Sequence, residues 1–339
     1  MNEHLSDEYA DAESDDDDDD DPLCLDDLMS EFYQCLPRHT VEAEFAAITD
    51  VGRVRKNNED QFLVLKRQGS RELLLSSIPA ELLPPTPDHA YVFSVADGIG
   101  GRDSGEFASF LALRTSWLLS HHELSWAVRV DDSLVDQLKR KADVFFQLIH
   151  EVIRLASLQD IRHAGMGTTL TLGYSSGTDL YILHAGDSRA YLIRDGEIKR
   201  LTRDHTLAEW FLESGLASPT SDFVHRSRNV LVNCLGGEDF SVDVDFHHQT
   251  LQDGDRILLC SDGLSDMVND ATIHGILADH ERPEPACRAL VDAALEKGGR
   301  DNITVVLAQY SVSPIEATDG QTHAASFFPN ISALGTDPI

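Results

Sequence analysis

Residues 168–202, TTLTLGYSSGTDLYILHAGDSRAYLIRDGEIKRLT, decide the fold. Four apolar runs of strand length, TTLTLGY, DLYILHAG, RAYLIR and EIKRLT, follow in quick succession, rich in the β-branched and aromatic residues that suit a pleated surface. Asp195-Gly196 separates the last two. That dipeptide suits a type I′ hairpin turn, which needs positive φ at both central residues. The region therefore reads as antiparallel sheet.

On the N-terminal side, AEFAAITDVG, QFLVLKR and YVFSVADG read as further strands, and on the C-terminal side RILLCSDG and NITVVLAQY do the same. Two helices lie between the groups. One puts Phe107, Phe110, Leu111 and Leu118 on one face. The other carries Leu134, Leu138, Ala142, Phe145, Ile149 and Ile153 at steps of three and four. Both faces are predicted to meet the core. LAEWFLESG reads as a short helix stopped at Gly215, and Ala286–Leu295 as a helix ended by Gly298 and Gly299. Helices do not alternate regularly with strands, so the pattern favours an α+β domain over parallel βαβ units.

The domain is expected over residues 41–312. Residues 66–90, with PAELLPPTPDH, are too proline-rich for regular structure. Residues 313–339 read as a flexible C-terminal tail. Residues 1–40 read as a disordered acidic arm, because repeated aspartates such as Asp15–Asp21 cannot bury enough apolar surface to order themselves. Within the arm, Leu23–Leu36 has helix-compatible spacing.

The 339-residue chain carries 59 acidic and 27 basic residues, a net charge of -32. Residues 1–31 hold 15 of the carboxylates and no Lys or Arg, and the remainder is still acidic. Such a chain repels nucleic acid and anionic membranes, so neither is an expected partner. The five cysteines are odd in number and lack CxxC spacing, which argues for a reducing compartment rather than a disulfide framework or a zinc knuckle. No apolar stretch approaches the roughly 18–20 residues of a membrane span, and no signal peptide is recognised at the N-terminus. A cytoplasmic location is the expectation. GIGGRDSG, at 98–105, precedes a helix but lacks the P-loop lysine and hydroxyl, which tells against a nucleotide site.

The chemistry-bearing residues are carboxylates. Asp60 opens one strand, Asp97 ends VFSVA, Asp262 ends ILLCS and Asp301 precedes ITVVL. Each alone is an ordinary turn residue. Together, at the ends of neighbouring strands, they would crowd like charges that something must neutralise. An oxygen-only set without His or Cys selects hard divalent ions, Mg²⁺ or Mn²⁺. A pair of such ions would activate a water and clamp a phosphoryl group for in-line attack. Arg55 then gains a role, since its guanidinium fork matches two phosphate oxygens. The alternatives for Arg55 are a surface charge or a partner for Glu59.

Arg55-x3-Glu59-Asp60, VADGIGG (95–101), GMGTT (165–169), HAGDSRAYLIRDG (184–196), LTRDHT (201–206), CSDGLSD (260–266) and GGRDNITVV (298–306) together resemble the metal-dependent protein phosphatases of the PPM, or type 2C, family, in its bacterial branch. The resemblance spans about residues 42–312, with the motifs in family order. It implies a four-layer α-β-β-α sandwich of two antiparallel sheets flanked by helices, with a site for two ions of Mn²⁺ or Mg²⁺. It further implies that Asp97 bridges the ions, that the Gly98 carbonyl serves one of them, and that Asp60, Asp262 and Asp301 complete the set. Glu59 would act through water on a metal, and Arg55 would hold the substrate phosphate. Asp187 and Arg189 of GDSR would be structural. The implied reaction is hydrolysis of phosphoserine and phosphothreonine on proteins without a covalent phosphoenzyme, by a monomer that opposes a Ser/Thr kinase and numbers that kinase among its substrates.

Three departures bear on this. Many eukaryotic members carry a histidine, proposed as general acid, where Ile99 stands here. His205 is a speculative substitute, against the plainer reading of an exposed flap residue. A third, weaker ion would be sought at an aspartate before GMGTT, and the nearest is Asp160, with Arg162 and His163 intervening. The acidic arm and the proline-rich loop fall outside the compact pattern. Residues 204–235 match a flap near the active site, where Arg226 and Arg228 either meet a phosphopeptide or simply solvate the loop. Two rival functions share the motifs: an inactive module that binds phosphoproteins, and a hydrolase of small phosphate esters. Inactive modules usually lack one of the metal aspartates, and none is lacking here.

Overall fold

A computed structural model describes residues 39–69, 88–100, 104–120, 132–237 and 241–315. The chain divides into two units, Met1–Leu36 and Pro37–Ile339, and every described residue lies in the second. The expectations for the arm, for the Leu23–Leu36 helix, for most of the proline-rich loop and for the tail beyond 315 lie outside the described residues.

The fold-deciding stretch forms β5 (Leu170–Ser176), β6 (Asp179–Ala185), β7 (Arg189–Arg194) and β8 (Glu197–Arg200). Asp195 and Gly196 have φ of 51° and 75°, as the type I′ turn requires. Upstream are β1 (His39–Asp50), β2 (Asp60–Gly69), β3 (Asp88–Ile99) and β4 (Gly167–Thr168). Downstream are β9 (Leu235–Gly236), β10 (Asp245–Thr250), β11 (Arg256–Cys260) and β12 (Ile303–Pro314). Strands β1 and β12 pair over their full lengths, from His39 opposite Pro314 to Asp50 opposite Ile303. The sheet thus extends two residues past each expected domain boundary.

Two antiparallel sheets result. One runs β1-β12-β11-β7-β8. The other runs β10-β6-β5-β3-β4-β9, with β2 also on β3. Their inner faces meet through Tyr91, Phe93, Val95, Leu180, Ile182, Ile257, Leu259, Val306 and Tyr310. Helices α1 (Ser104–Ser120) and α2 (Asp132–Gln159) cover the outer face of the second sheet. Helices α6 (Asp270–Asp279) and α7 (Pro283–Glu296) cover that of the first. The expected four-layer sandwich is present. Among the described residues three short α-helices remain: α3 (Leu207–Glu213) and α4 (Asp222–Arg226) in the flap, and α5 (Asp262–Ser265) after β11.

Of the stripe expected on helix α2, Leu138, Ala142, Phe145, Ile149 and Ile153 are all inside, and the Leu134 side chain lies outside the described residues. Helix α1 corrects the reading. Leu111 is buried and Phe107 packs against the core, but Phe110 and Leu118 are 48% and 50% exposed, and the inward face includes the small residues Ala108, Ser109, Ala112 and Ser116. The cause is distance. A Cβ on Gly98 of β3 would stand 2.1 Å from the Gly105 carbonyl oxygen, so helix and strand touch backbone to backbone. Only small side chains fit where the two backbones meet, so Ala108, Ser109, Ala112 and Ser116 face the strand there, Leu111 and Leu113 are buried beside them, and Phe110 and Leu118 turn outward.

Candidate active site

The carboxylates sit where the strand order predicts. Asp60 starts β2 and Asp97 nears the end of β3, and the two are direct partners across the antiparallel pair. Asp262 opens α5 at the end of β11, and Asp301 lies just before β12, the neighbour of β11. Their charges act on one another. Burial raises the pKa of Asp97 well above the carboxylate range, and the charges of Asp60, Asp262, Asp187 and Asp301 raise it further. Asp262 is raised in the same way, by burial and then by Asp187, Asp266, Asp301 and Asp60. Asp60 is raised by burial, against hydrogen bonds from Ser261 and Thr304. The structure therefore brings all four expected aspartates into one electrostatic cluster.

The backbone under each is fixed. Asp97 N–H donates to Thr169 Oγ1 (2.9 Å), and its carbonyl accepts from Thr169 N–H and Thr168 Oγ1 (2.8 Å each). Ser261 Oγ donates to Asp60 Oδ2 at 2.7 Å. Glu59 is also in place. Its Oε2 lies 2.7 Å, and the Gly98 carbonyl oxygen 2.8 Å, from where a Cβ on Gly105 would stand, so a side chain at Gly105 would collide with both. Burial raises the Glu59 pKa.

Arg55 stands at the rim with its side chain 51% exposed, and Nη2 donates to Asp301 Oδ2 at 2.6 Å. The loop that carries Arg55 and Glu59 is held by Asn302. That residue accepts from Glu59 N–H (2.8 Å) and donates to the Val51 and Asn57 carbonyls (2.9 Å each). Asn302 stood unremarked inside GGRDNITVV. Its position beside a site aspartate was the available signal.

Among the described residues, no three carboxylates, histidines or cysteines close round a single point as the side chains stand. The donor set nevertheless fits hard cations. Asp60 Oδ1 and Asp262 Oδ1 are buried without a hydrogen-bond partner, an arrangement that otherwise costs about 1–3 kcal/mol for each group. The raised pKa values of Asp60, Asp97 and Asp262 point the same way, because Arg55 pairs only with Asp301 and burial and like charge weigh on the other three carboxylates.

A cavity of about 290 Å³ adjoins Asp262 and runs beneath the flap, lined by Asp187, Asp266, Leu212, Val224, Arg228 and Asn229 among others. Asp187 was expected to be structural, with Arg189 beside it in sequence. Arg189 instead makes a two-pronged pair with Asp204, at 3.0 and 2.7 Å, and Arg200 also binds Asp204. Asp187 is left facing the cavity and Asp262, its pKa pushed up to about 7 by burial and then by Asp204. Asp160 does not approach the site: it caps the turn Ile161–His163 and pairs with Arg162.

Ile99 is at the surface, 36% exposed. His205 is not an exposed flap residue. It is buried, with Nε2 3.0 Å from Asp245 Oδ2 and Nδ1 2.8 Å from Asn233 Nδ2, which leaves no ring nitrogen to protonate a leaving group. Its neighbour His184 packs 4.8 Å away, ring to ring. His184 bonds Thr171 Oγ1 and the Arg203 carbonyl, at 2.8 Å each, and its pKa is lowered to about 3 by burial and then by His205.

A histidine held neutral in the fold must take up a proton on unfolding. Its contribution to stability is complete above the unfolded pKa of about 6.5 and is lost as pH falls from there toward 3, at about 1.4 kcal/mol per pH unit. Urea unfolding at pH 7 and pH 5 should show the stability gap between wild type and His184→Gln narrowing by about 2 kcal/mol at the lower pH. An unchanged gap would rule out this burden.

The family profile for protein phosphatase 2C matches residues 47–209. The serine/threonine phosphatase stp of Listeria monocytogenes is 31% identical over 269 residues, covering 79% of this chain and 96% of that protein. The serine/threonine protein phosphatase PstP of Mycobacterium tuberculosis is 35% identical over 273 residues, covering 80% of this chain and 46% of the mycobacterial protein. The match thus spans about half the length of that relative. The crystal structure of the PstP catalytic domain in complex with two manganese ions superposes with a TM-score of 0.61 at 32% identity, covering 80% of this chain and all of that one.

Proposed function

Because the chain belongs to the protein phosphatase 2C family, we propose that it hydrolyses phosphoserine and phosphothreonine on proteins, in the cytoplasm, using two ions of Mn²⁺ or Mg²⁺. The observation that carries this is the cluster of Asp60, Asp97, Asp262 and Asp301, in which burial and then neighbouring like charges raise the pKa of Asp60, Asp97 and Asp262, and two buried carboxylate oxygens stand without partners. The relative solved with two manganese ions supports the count of ions.

Asp60, Asp97, Asp262, Asp301 and the Gly98 carbonyl would hold the ions. Once bound, the ions would neutralise phosphoryl oxygens and lower the pKa of a water. The chain's own residues do the rest. Arg55 offers its remaining N–H donors to the phosphate from the rim. Asn302 fixes the loop that carries Arg55, so the guanidinium reaches the ester from a set direction. Glu59, pushed toward the protonated form by burial, stands where it can hold or pass a proton. The leaving alkoxide takes its proton from neither Ile99 nor the fully bonded His205. A third ion would find Asp187 and Asp262 on one cavity wall, rather than Asp160. Arg228 lines the cavity beside Asp262 and can meet a phosphopeptide, whereas Arg226 does not line it.

The protein acts as a monomer within residues 41–312 and opposes a Ser/Thr kinase, which is itself a candidate substrate. Cys260 and Cys287 are buried free thiols, which suits the reducing location proposed. Among the described residues no helix is long and apolar enough to cross a membrane.

Phosphate release from a phosphothreonine peptide and from p-nitrophenyl phosphate, with and without Mn²⁺, tests the reading. EDTA should abolish both activities. Turnover that survives EDTA would overturn the metal mechanism. Hydrolysis of sugar phosphates in preference to the peptide would overturn the protein substrate. For Arg55→Ala, KM for the peptide should rise at least about tenfold. Mn²⁺ affinity should not weaken, because the substitution frees Asp301 from its ion pair. Equal loss of both would tell against the phosphate role.

A further inference from the structure

We propose that His205 is a positioning residue that pins both ends of the flap to the loop bearing Asp187, and that this pin sets the affinity for a phosphopeptide rather than the rate of the chemical step. The proposal rests on the phosphatase reading above.

Within the flap region 204–235, the segment 206–231 leaves the domain just after His205 and returns just before Val232. At its root, Leu207 N–H donates to the Val230 carbonyl (2.7 Å), Thr206 bridges to Leu231, and Val232 N–H donates to the His205 carbonyl (2.9 Å). The two ends are therefore tied to each other, and His205 ties them to the core. Its backbone N–H donates to the Gly186 carbonyl at 2.7 Å, and Gly186 N–H donates back to His205 Nδ1 at 3.2 Å. Gly186 has φ of +119°, and a Cβ there would strike Thr169 at 2.5 Å, so the loop entering Asp187 has little freedom to find another partner.

The second donor to Nδ1 is Asn233 Nδ2, from the returning end of the flap. The Asn233 amide is oriented independently. Its oxygen accepts from Asp243 N–H (3.1 Å) and its nitrogen donates to the Asp243 carbonyl (2.7 Å). Nδ1 thus faces two N–H donors and must accept, while Nε2–H donates to the Asp245 carboxylate, which can only accept. One neutral imidazole joins the Asp187 loop, the returning end of the flap and β10.

The pin acts on the cavity beside Asp262. Asp187 forms one wall, and Thr206, Ala208, Glu209, Leu212, Val224 and Arg228 of the flap form another. The distance between those walls is set at His205. A peptide flanking the phosphorylated residue must enter between them. A small aryl phosphate needs only Arg55 and the carboxylate cluster, none of which is bonded to His205.

The side chains of Asn and Gln separate the two ring nitrogens. Asn places an acceptor near the Nδ1 position, and Gln reaches the Nε2 position. For His205→Gln, KM for the phosphothreonine peptide should rise about tenfold, while kcat for p-nitrophenyl phosphate stays within about twofold, the loss expected of two acceptor bonds. His205→Asn should restore most of the peptide KM. Asn233→Ala, which removes the donor from the flap side and leaves His205 in place, should repeat the His205→Gln signature and decides the matter if that variant fails to fold. Amide hydrogen exchange at Leu207 and Val232, read on the protein without added substrate, should quicken in His205→Gln and not in His205→Asn. Indistinguishable Gln and Asn variants, or equal losses on peptide and aryl phosphate, would overturn the pin. If wild type hydrolyses neither substrate, the phosphatase reading fails, and the exchange rates alone then uphold or overturn the pin.

Discussion

Asp97→Asn is expected to cut turnover of a phosphothreonine peptide by at least about a thousandfold, the scale of losing one preorganised electrostatic element, and yet to make the EDTA-treated protein more stable. Both effects come from one charge. The Asp97 carboxylate faces Asp60, Asp262, Asp187 and Asp301, and burial and those charges raise its pKa well above the ordinary range. Folding therefore works against its ionised form. An amide keeps the shape and removes the charge. The backbone anchors at Thr168 and Thr169 do not involve the side chain, so strand β3 keeps its place. The melting temperature of the EDTA-treated variant should rise by several degrees above that of wild type, at about 2–4 °C per kcal/mol for a domain this size. The same variant should lose most of its Mn²⁺ affinity in calorimetry. A variant that keeps Mn²⁺-dependent activity, or that melts lower than wild type in EDTA, would show that Asp97 is not the centre of the cluster.

Gly263→Ala is expected to have the largest effect on the architecture of the site. A Cβ on Gly263 would stand 1.8 Å from the Asn302 carbonyl oxygen and 2.8 Å from its carbon, both backbone atoms that cannot rotate away. Gly263 follows Asp262, and Asn302 follows Asp301. The substitution therefore drives apart the two segments that carry half of the aspartate set. It also disturbs the Asn302 side chain, which holds the Arg55–Glu59 loop. Overpacking of this kind costs about 1–3 kcal/mol and sometimes more. Urea unfolding should show a loss at the upper end of that range, together with a drop in Mn²⁺ affinity that Ala substitutions at open glycines do not cause. Gly275, with nothing within 4 Å of its added Cβ, is the control. Equal effects at Gly263 and Gly275 would mean that the close approach does not matter.

The strands from 168 to 202 were legible because alternation, β-branched residues and an Asp-Gly turn all act within a few residues of one another. The four aspartates were legible for a related reason: each closes or opens an apolar run, and strand ends are where a sheet edge gathers side chains. Strand β10 was not read. DFHHQT has neither a strong apolar run nor clean alternation, and it pairs with β6 alone. The face of α1 was misread because periodicity assigns the largest apolar residues to the core. It cannot register that Gly98 and Gly105 let helix and sheet meet so closely that Ala108, Ser109, Ala112 and Ser116 fill the contact and Phe110 and Leu118 are left outside.

Local pattern, then, determined the strands, the order of motifs and the residue types able to bind a hard cation, since those properties depend on neighbours along the chain. Which partner each charged group takes was decided only in three dimensions. Arg189 passes over Asp187, two residues away, for Asp204, fifteen away, and His205 turns from a surface loop residue into a buried tie to Gly186 and Asn233. Hydrogen bonds and ion pairs act over a few ångströms of space, and only the folded chain sets those distances.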